Sequence, residues 1–417
     1  MKKSIYNIEI EKDGYHLIYN QFKSAATVFD KEHYNKYFNG ELTDEELERL
    51  TNRGFLVPDD FDEKSFYLKK RKIFLEADKT NSVIYRVFIT TKCNAKCYYC
   101  YENSMEKQSM SLDTVVALIR RIKEEGKAKK KIIIEWFGGE PLVEYKKIDF
   151  ITKEVLSFCE DNNIVYKSQI ISNGLLFKIP EIRNKLFDWK VDRVQITLDG
   201  LKGRHENIKN FTEKNAFETI IDNVDYLINN GIFVNLRINF EEKNADEVIA
   251  LVKFLSIRFK HKKNLNVYPY LIFKDNDCIQ EKTNPESFKK IICALYENGF
   301  FENFFLTMGM RIGCQANRCN GGSILPDGTL YRCPLATNNK EDSLGNIFNS
   351  IQSTNNIWLN EELDKVCVDC KFLPMCGGGC IYAKLKGKSF CVVQENQVIS
   401  ELEMALDMFI KNNDRRL

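Results

Sequence analysis

The chain has 417 residues, 44 % of them apolar and 29 % charged, which are ordinary values for a soluble globular protein long enough for two or three cores. Its 61 lysines and arginines nearly cancel 59 aspartates and glutamates, which argues against a nucleic-acid binder working through bulk charge. No run approaches the roughly 18 apolar residues that span a bilayer, and Glu9 and Glu11 interrupt the start before an apolar stretch builds, so neither a membrane segment nor a signal peptide is expected and the chain reads as cytosolic.

Residues 1–75 open with two β-type runs, SIYNIEIE and YHLIYNQ, around a Lys-Asp-Gly turn, which predicts a hairpin. AATVFD offers a third strand. The stretch DEELERLTNRGFLV has Thr43 as N-cap and Gly54 just past its helix, and the whole reads as a compact winged-helix-like α+β unit. The charged run PDDFDEKSFYLKKRK reads as a linker. Residues 81–275 then alternate. Apolar β-type runs at 83–90, 131–137, 164–171, 193–198, 231–239 and 264–272 are separated by helical patterns. In one of these, Leu112, Val115, Val116, Leu118, Ile119 and Ile122 fall mostly on one face, with Gly126 at its end. Six strands alternating with helices predict a parallel sheet with right-handed crossovers, open or closed as a full or partial barrel. Residues 310–417 hold eight cysteines, several glycine clusters and little periodicity. Such a zone has too little core to hold itself by burial, and bound metal would supply the missing stability. The last helix, in SELEMALDMFIKNN, is expected to pack back on the rest.

Cysteine usage is the anomaly. Eleven of the 14 cysteines fall in two clusters, and in a cytosolic chain clustered thiols are metal ligands or redox groups rather than disulfides. Cys93, Cys97 and Cys100 form a C-x-x-x-C-x-x-C array directly after the first strand of the alternating zone, where parallel folds place their chemistry. Three thiolates on one loop can hold three irons of a 4Fe–4S cluster and leave the fourth iron open. Zinc prefers four protein ligands, and no fourth lies near. Beyond it come Cys314, Cys319 and Cys333, then Cys367, Cys370, Cys376 and Cys380, then Cys391, enough for two four-thiolate sites. C-x-x-C pairs also suit zinc ribbons. Cys159, Cys278 and Cys293 match nothing, and Cys159 and Cys293 lie in helical patterns as small hydrophobes.

The array CNAKCYYC resembles the radical S-adenosylmethionine (SAM) signature, and the six strand–helix units resemble that superfamily's partial (β/α)6 barrel. The resemblance implies that the open iron chelates SAM and that an electron from the cluster yields a 5′-deoxyadenosyl radical. FGGEP (Phe137–Pro141) ends the second strand; Gly138 and Gly139 would let backbone approach a ligand, and Glu140 would pair with the SAM ammonium. Ser172 resembles a contact to the SAM ribose or carboxylate, Arg237 the carboxylate partner, and Tyr99 the aromatic that touches adenine. Asp199 and His205, at the end of the fourth strand, resemble a pair facing the substrate side. Asp199 could equally cap a turn, and His205 could be a solvated loop histidine.

CVDCKFLPMCGGGC, PDGTLYRC and Leu344-Gly345-Asn346 resemble the SPASM auxiliary-cluster domain, with Tyr331 standing where the pattern has glycine. Carried over by position, auxiliary cluster I would use Cys314, Cys319, Cys333 and Cys380, and auxiliary cluster II Cys367, Cys370, Cys376 and Cys391. The whole resembles maturases of ribosomally made peptides. It implies domains at 1–75 (leader recognition), 81–275 (radical SAM partial barrel) and 310–417 (SPASM), with SAM and three 4Fe–4S clusters as cofactors. Expected partners are a precursor peptide, whose leader adds a strand to residues 1–75, and a flavodoxin- or ferredoxin-type electron donor. The implied reaction is hydrogen abstraction followed by an intramolecular cross-link, a Cys thioether or its rival, a carbon–carbon link. Formylglycine formation in a sulfatase, as an anaerobic maturase performs it, shares both cluster domains. A zinc-stapled binding protein is the reading from another class, which metal analysis would separate.

Overall fold

The structure, a computed structural model, describes residues 1–259, 263–272, 285–300, 311–317, 320–349, 358, 362–388, 391, 393 and 395–414. The chain forms two compact units. The first holds Met1–Phe74, Lys282–Cys314 and Glu362–Leu417, the second Leu75–Glu281 and Gln315–Glu361.

In the first unit, β1 (Lys2–Lys3) precedes an antiparallel sheet of β2 (Asn7–Lys12), β3 (Tyr15–Asn20) and β4 (Ala25–Asp30). The β2–β3 turn carries Asp13 and Gly14 at φ 51° and 78°, the pair of positive angles a tight hairpin needs. Helices α1 (Lys31–Asn39) and α2 (Asp44–Asn52) follow, the latter closed by a capping box in which Thr43 and Glu46 exchange hydrogen bonds. β5 (Leu56–Val57) pairs back with β1.

From Glu63 onward the run expected as a linker forms the first part of the 19-residue helix α3 (Glu63–Asn81). Its charged composition hides one buried face. Tyr67 and Arg71, one turn apart, are both buried. Tyr67 donates to the Arg311 carbonyl at 2.8 Å, and Arg71 to the carbonyls of Ile312 and, at 3.1 Å, Gly377. Gln21 likewise donates to the Lys371 carbonyl at 2.6 Å. These side chains satisfy carbonyls of the cysteine-rich loops, of which only Gly377 is a buried residue. Three consecutive domains at 1–75, 81–275 and 310–417 are therefore not how contacts divide the chain: the N-terminal elements and the segment from Glu362 share one unit, and residues 315–361 join the other.

The last helix, Glu395–Asp414, packs within the first unit as expected. Lys289 meets Glu403 at 2.8 Å, Lys12 pairs with Asp407, and Tyr15 meets Phe409 edge-on. Burial pushes the Glu401 carboxyl in this helix up to about 8. A raised acid pKa contributes stability fully below its unfolded value of about 4.3, and that contribution is lost as pH rises through 8. Glu401→Gln should therefore raise the melting temperature at pH 8 by a few degrees and leave it unchanged at pH 4. Equal shifts at both pH values in a thermal scan would refute this.

In the second unit, β6 (Ser82–Thr90), α4 (Leu112–Gly126), β7 (Lys131–Gly138), α5 (Tyr145–Asp161), β8 (Val165–Ser172), α6 (Pro180–Lys185), β9 (Val191–Leu198), α7 (Lys202–Lys209), α8 (Ala216–Asn229), β10 (Phe233–Phe240), α9 (Ala245–Arg258) and β11 (Leu265–Leu271) realise the expected alternation. All six strands pair in parallel in the order β11-β10-β9-β8-β7-β6. β12 (Gly321–Ile324) adds parallel to β6, and β13 (Thr329–Tyr331) and β14 (Gly345–Asn346) extend the sheet antiparallel to nine strands, which leaves β11 as an edge. This mostly parallel sheet is the core of the unit. Its helix-facing residues, such as Ile134, Trp136, Ile170, Ile196 and Leu236, are fully buried. Leu112 and Val116, expected on the packed face of α4, are exposed, and Val115, Leu118, Ile119 and Ile122 make the contact. Among the described residues no helix is long and apolar enough to cross a membrane.

Candidate functional site

A cavity of about 900 Å³ lies in the second unit against the C-terminal ends of the strands. Side chains of β-strands alternate between faces. The face of the sheet turned from the helices therefore presents Phe137, Ile171, Gln195, Thr197, Arg237 and Asn239 to this cavity. Cys93, Cys97 and Cys100 line it from the loop after β6, with Tyr99, Gly138, Gly139 and Ser172. The sequence-predicted contacts thus share one wall, apart from Glu140, Asp199 and His205. Among the described residues no three His, Cys, Asp or Glu side chains close into a metal cage.

The cysteine loop has little regular structure and is tethered from outside. The Lys96 amide donates to the Lys209 carbonyl at 2.7 Å, Asn103 donates to the Cys97 carbonyl at 2.9 Å, and Asn173 bridges to Asn94 Oδ1 at 2.7 Å and to the Cys93 sulfur at 3.9 Å. Desolvation, then the charge of Glu140, raises the Cys93 thiol above its usual range, and desolvation also raises Cys100. Thiols so placed ionise when a cation is delivered to them, which is how metal loading couples to proton release.

The glycines of FGGEP serve the protein's own backbone first. Gly138 has φ 107°, and a Cβ there would lie 2.1 Å from the Thr90 carbonyl; at Gly139 it would lie 2.3 Å from that of Lys92. The turn after β7 is pressed against the root of the cysteine loop, with the Glu140 amide donating to the Lys92 carbonyl at 2.9 Å. Glu140 is fully buried behind the cavity wall. Its carboxylate accepts from the Asn173 amide at 2.8 Å, the Leu142 amide at 3.2 Å and the Ser172 hydroxyl at 3.0 Å. Burial raises it to about 7 despite those donors. In this arrangement it ties the loop after β7 to the loop after β8, and the hydroxyl of Ser172 donates to it.

Asp199 and His205 are also fully buried and do not line the cavity. His205 Nδ1 accepts from the Asp199 amide at 3.2 Å, which puts its proton on Nε2, and burial lowers its pKa to about 3, so it stays neutral. Asp199 Oδ1 accepts from Tyr99 Oη at 2.7 Å and Asn239 at 2.9 Å. Lys209 completes this cluster. Its Nζ lies 3.2 Å from Asp199 Oδ2 and donates to Tyr99 Oη at 3.1 Å. Burial opposes its charge, but Asp199 and Tyr99 outweigh it and hold the ammonium well above its usual range. Arg237 Nε donates to Asn239 Oδ1 at 2.8 Å, and its guanidinium stacks 3.6 Å over Tyr270.

Lys209, Asn239 and Glu102 went unnoticed in the sequence. Polar residues at alternate positions of otherwise apolar strands (Gln195 and Thr197; Arg237 and Asn239) are the signal that could have marked the cavity face, since a sheet covered on both sides would be apolar throughout. Glu102 is buried, and burial raises its carboxyl to about 8.

In the first unit, Cys367 and Cys391 each sense the charge of Cys376, Cys367 also that of Cys391, and Cys391 that of Cys370. The four cysteines expected for auxiliary cluster II all lie in the first unit. Of the set expected for auxiliary cluster I, Cys314 and Cys380 belong to the first unit and Cys333 to the second, and Cys319 lies outside the described residues, as does Cys278. Cys159 is buried in α5, while Cys293 is half-buried in its helix.

Residues 87–255 match the profile of the Radical SAM superfamily. The radical SAM cyclopropyl synthase TigE of Paramaledivibacter caminithermalis is 21 % identical over 409 residues, covering 90 % of this chain and 84 % of its own. The GTP 3′,8-cyclase of Clostridium perfringens strain SM101 is 24 % identical over 273 residues, 60 % of this chain and 79 % of its own. Among solved structures, native anSMEcpe with bound AdoMet and Cp18Cys peptide aligns at TM-score 0.55 and 17 % identity, covering 81 % of this chain and 100 % of its own. Streptococcus suis SuiB aligns at 0.50 and 16 %, covering 94 % and 97 %. At these identities the two structural likenesses are ones of fold.

Proposed function

We propose, from the premise that residues 87–255 are a radical SAM domain and the chain an enzyme of that superfamily, that it matures a ribosomally made peptide by forming an intramolecular cross-link, a Cys thioether first. The observation that carries this is the three-cysteine loop set in the wall of a cavity of about 900 Å³, at the upper end of ordinary ligand sites, with room for part of a substrate beside a nucleoside cofactor. The superfamily binds SAM and a 4Fe–4S cluster, and together they supply a 5′-deoxyadenosyl radical.

The chain's residues fit that pair. Cys93, Cys97 and Cys100 would hold three irons and leave the fourth open to SAM. Arg237, anchored by Asn239 and Tyr270, would take the SAM carboxylate, and Tyr99, fixed by Asp199, would flank the adenine. Gly138 and Gly139 bring the loop after β7 close enough to complete the wall. Thioether formation is a net loss of two hydrogens, for which bound SAM would supply the hydrogen acceptor and an auxiliary cluster the acceptor of the remaining electron, the second hydrogen leaving as a proton. Cys367, Cys370, Cys376 and Cys391 would hold one such cluster, and Cys314, Cys319, Cys333 and Cys380 the other. The peptide reading is supported by the fold shared with anSMEcpe, which was solved with a peptide bound. Residues 1–75, with the open sheet of β2, β3 and β4, would hold the leader by strand addition.

The test is an anaerobic iron and sulfide assay on reconstituted protein, with SAM cleavage under dithionite and mass analysis of a candidate precursor peptide incubated with it. About twelve irons are expected for three such clusters, falling to about eight in Cys93→Ala/Cys97→Ala/Cys100→Ala. 5′-Deoxyadenosine should form with the parent only, and the peptide should lose the mass of two hydrogens. Zinc in place of iron, or no 5′-deoxyadenosine from the parent, would overturn the reading.

A further inference from the structure

Lys209 has no part in the chemistry just described, yet its geometry is unusual. It stands at the end of α7 with its side chain only 6 % exposed, lines the cavity, and is charge-paired with an aspartate that is wholly buried. A buried ammonium is costly unless paired and hydrogen-bonded. Here the compensation comes from two elements at once, Asp199 beyond β9 and Tyr99 on the cysteine loop. Asp199 Oδ2 accepts no well-formed hydrogen bond, so its compensation is the Lys209 charge at 3.2 Å. The Lys209 carbonyl meanwhile holds the Lys96 amide, the residue before Cys97. The pair is directional: Lys209 lines the same cavity as Cys97, whereas Asp199 sits behind it, away from the cavity surface.

We infer that Lys209 is a positioning residue for the iron–sulfur cluster: it clamps the Cys97–Cys100 segment through its carbonyl and Tyr99, and it sets a buried positive charge beside the cluster that favours the reduced state. The inference rests on the reading that the cysteine triad holds a 4Fe–4S cluster. The reduction is a one-electron step. A low-potential donor of the flavodoxin or ferredoxin class, replaced by dithionite in the test, is oxidised by one electron, and the cluster takes up that electron with no bond made or broken in the protein. A positive charge nearby stabilises the added electron, and a negative one destabilises it.

The experiment is an EPR-monitored dithionite titration of the reconstituted holoenzyme, following the signal that changes when SAM is added. Lys209→Met should shift the midpoint to more negative potential, Asp199→Asn should shift it to more positive potential, and Lys209→Arg should restore the parent value. A structural role alone would disorder the loop in both variants and move them the same way, which overturns the inference, as does a parent-like midpoint in Lys209→Met. Should Lys209→Met fail to fold, Asp199→Asn and Lys209→Arg still decide: a shift that is absent or negative in the first, or a displaced midpoint in the second, refutes it. If the parent itself shows no SAM-sensitive iron signal, the underlying cluster reading has failed instead.

Discussion

Gly139→Ala should abolish most 5′-deoxyadenosine formation while the chain still folds. The new Cβ would lie 2.3 Å from the Lys92 carbonyl oxygen and 2.8 Å from that of Thr91. Both are backbone atoms at the root of the cysteine loop, so no side-chain rotation relieves the contact. The loop must move, and Lys92 is held in place by the Glu140 amide at 2.9 Å. Overpacking of this kind costs about 1–3 kcal/mol, which a two-unit protein survives. A displacement of about 1 Å at a reactive centre costs on the order of a hundredfold in rate. The expected result is therefore a loss of about that size in deoxyadenosine formation with a modest fall in melting temperature. Gly203→Ala is the control, because a Cβ there meets nothing within 4 Å and lies in helix α7. It should leave deoxyadenosine formation untouched and stabilise the helix by about 0.5–1 kcal/mol. Parent-like activity in Gly139→Ala would show that the two loops separate freely and that their contact does not shape the site.

The strands were legible because burial imposes the period. Each β-type run between 83 and 272 became a strand within two residues of its expected ends, since apolar runs bounded by helix caps leave little choice. Ser111 and Thr43 cap their helices as their side-chain chemistry requires. Helix α3 was illegible for the opposite reason. Nine of its 19 residues are charged, and what makes it a packed helix is a pair of side chains, Tyr67 and Arg71, reaching carbonyls more than 200 positions away in the chain. No local pattern encodes such a partner. The same holds for the domain boundaries, which depend on β12 finding β6 and on Gln21 finding Lys371.

The site was legible where chemistry fixes residue type and spacing, as in the cysteine triad, and illegible where a residue serves another residue. Glu140 was expected as a ligand contact because FGGEP, following the cysteine triad, resembles the family motif whose glutamate pairs with the SAM ammonium. The structure gives that carboxylate three internal donors instead. Asp199 looked like a substrate-side group and is the buried counter-charge of Lys209, a residue whose single letter among 61 basic residues carried no signal. Lysines are ordinarily solvated, so one with 6 % exposure is found only from the fold.

Glu140→Ala should have the largest effect on cluster retention of any substitution outside the cysteines. Two effects oppose one another. Removing the carboxylate relieves part of the electrostatic pressure that keeps the Cys93 thiol protonated, which by itself would ease iron binding. Against this, the amides of Asn173 and Leu142 and the hydroxyl of Ser172 lose their acceptor in a fully buried position. Each orphaned donor costs about 1–3 kcal/mol, and three together exceed what relief at one partly solvated thiol returns. The cost falls on Asn173 in particular, whose side chain ties Asn94 at 2.7 Å and approaches the Cys93 sulfur at 3.9 Å. The structural loss should win. Reconstituted Glu140→Ala should retain about eight irons instead of about twelve, form no deoxyadenosine, and melt several degrees lower. Glu140→Gln keeps one carbonyl oxygen for the Asn173 amide, and the Ser172 hydroxyl can turn to accept, so it should hold most of its iron with reduced turnover. Full iron and parent-like melting in the alanine variant would mean that water replaces the carboxylate among those donors, and that the loop bearing Cys93 is held by Lys96, Asn103 and Tyr99 alone.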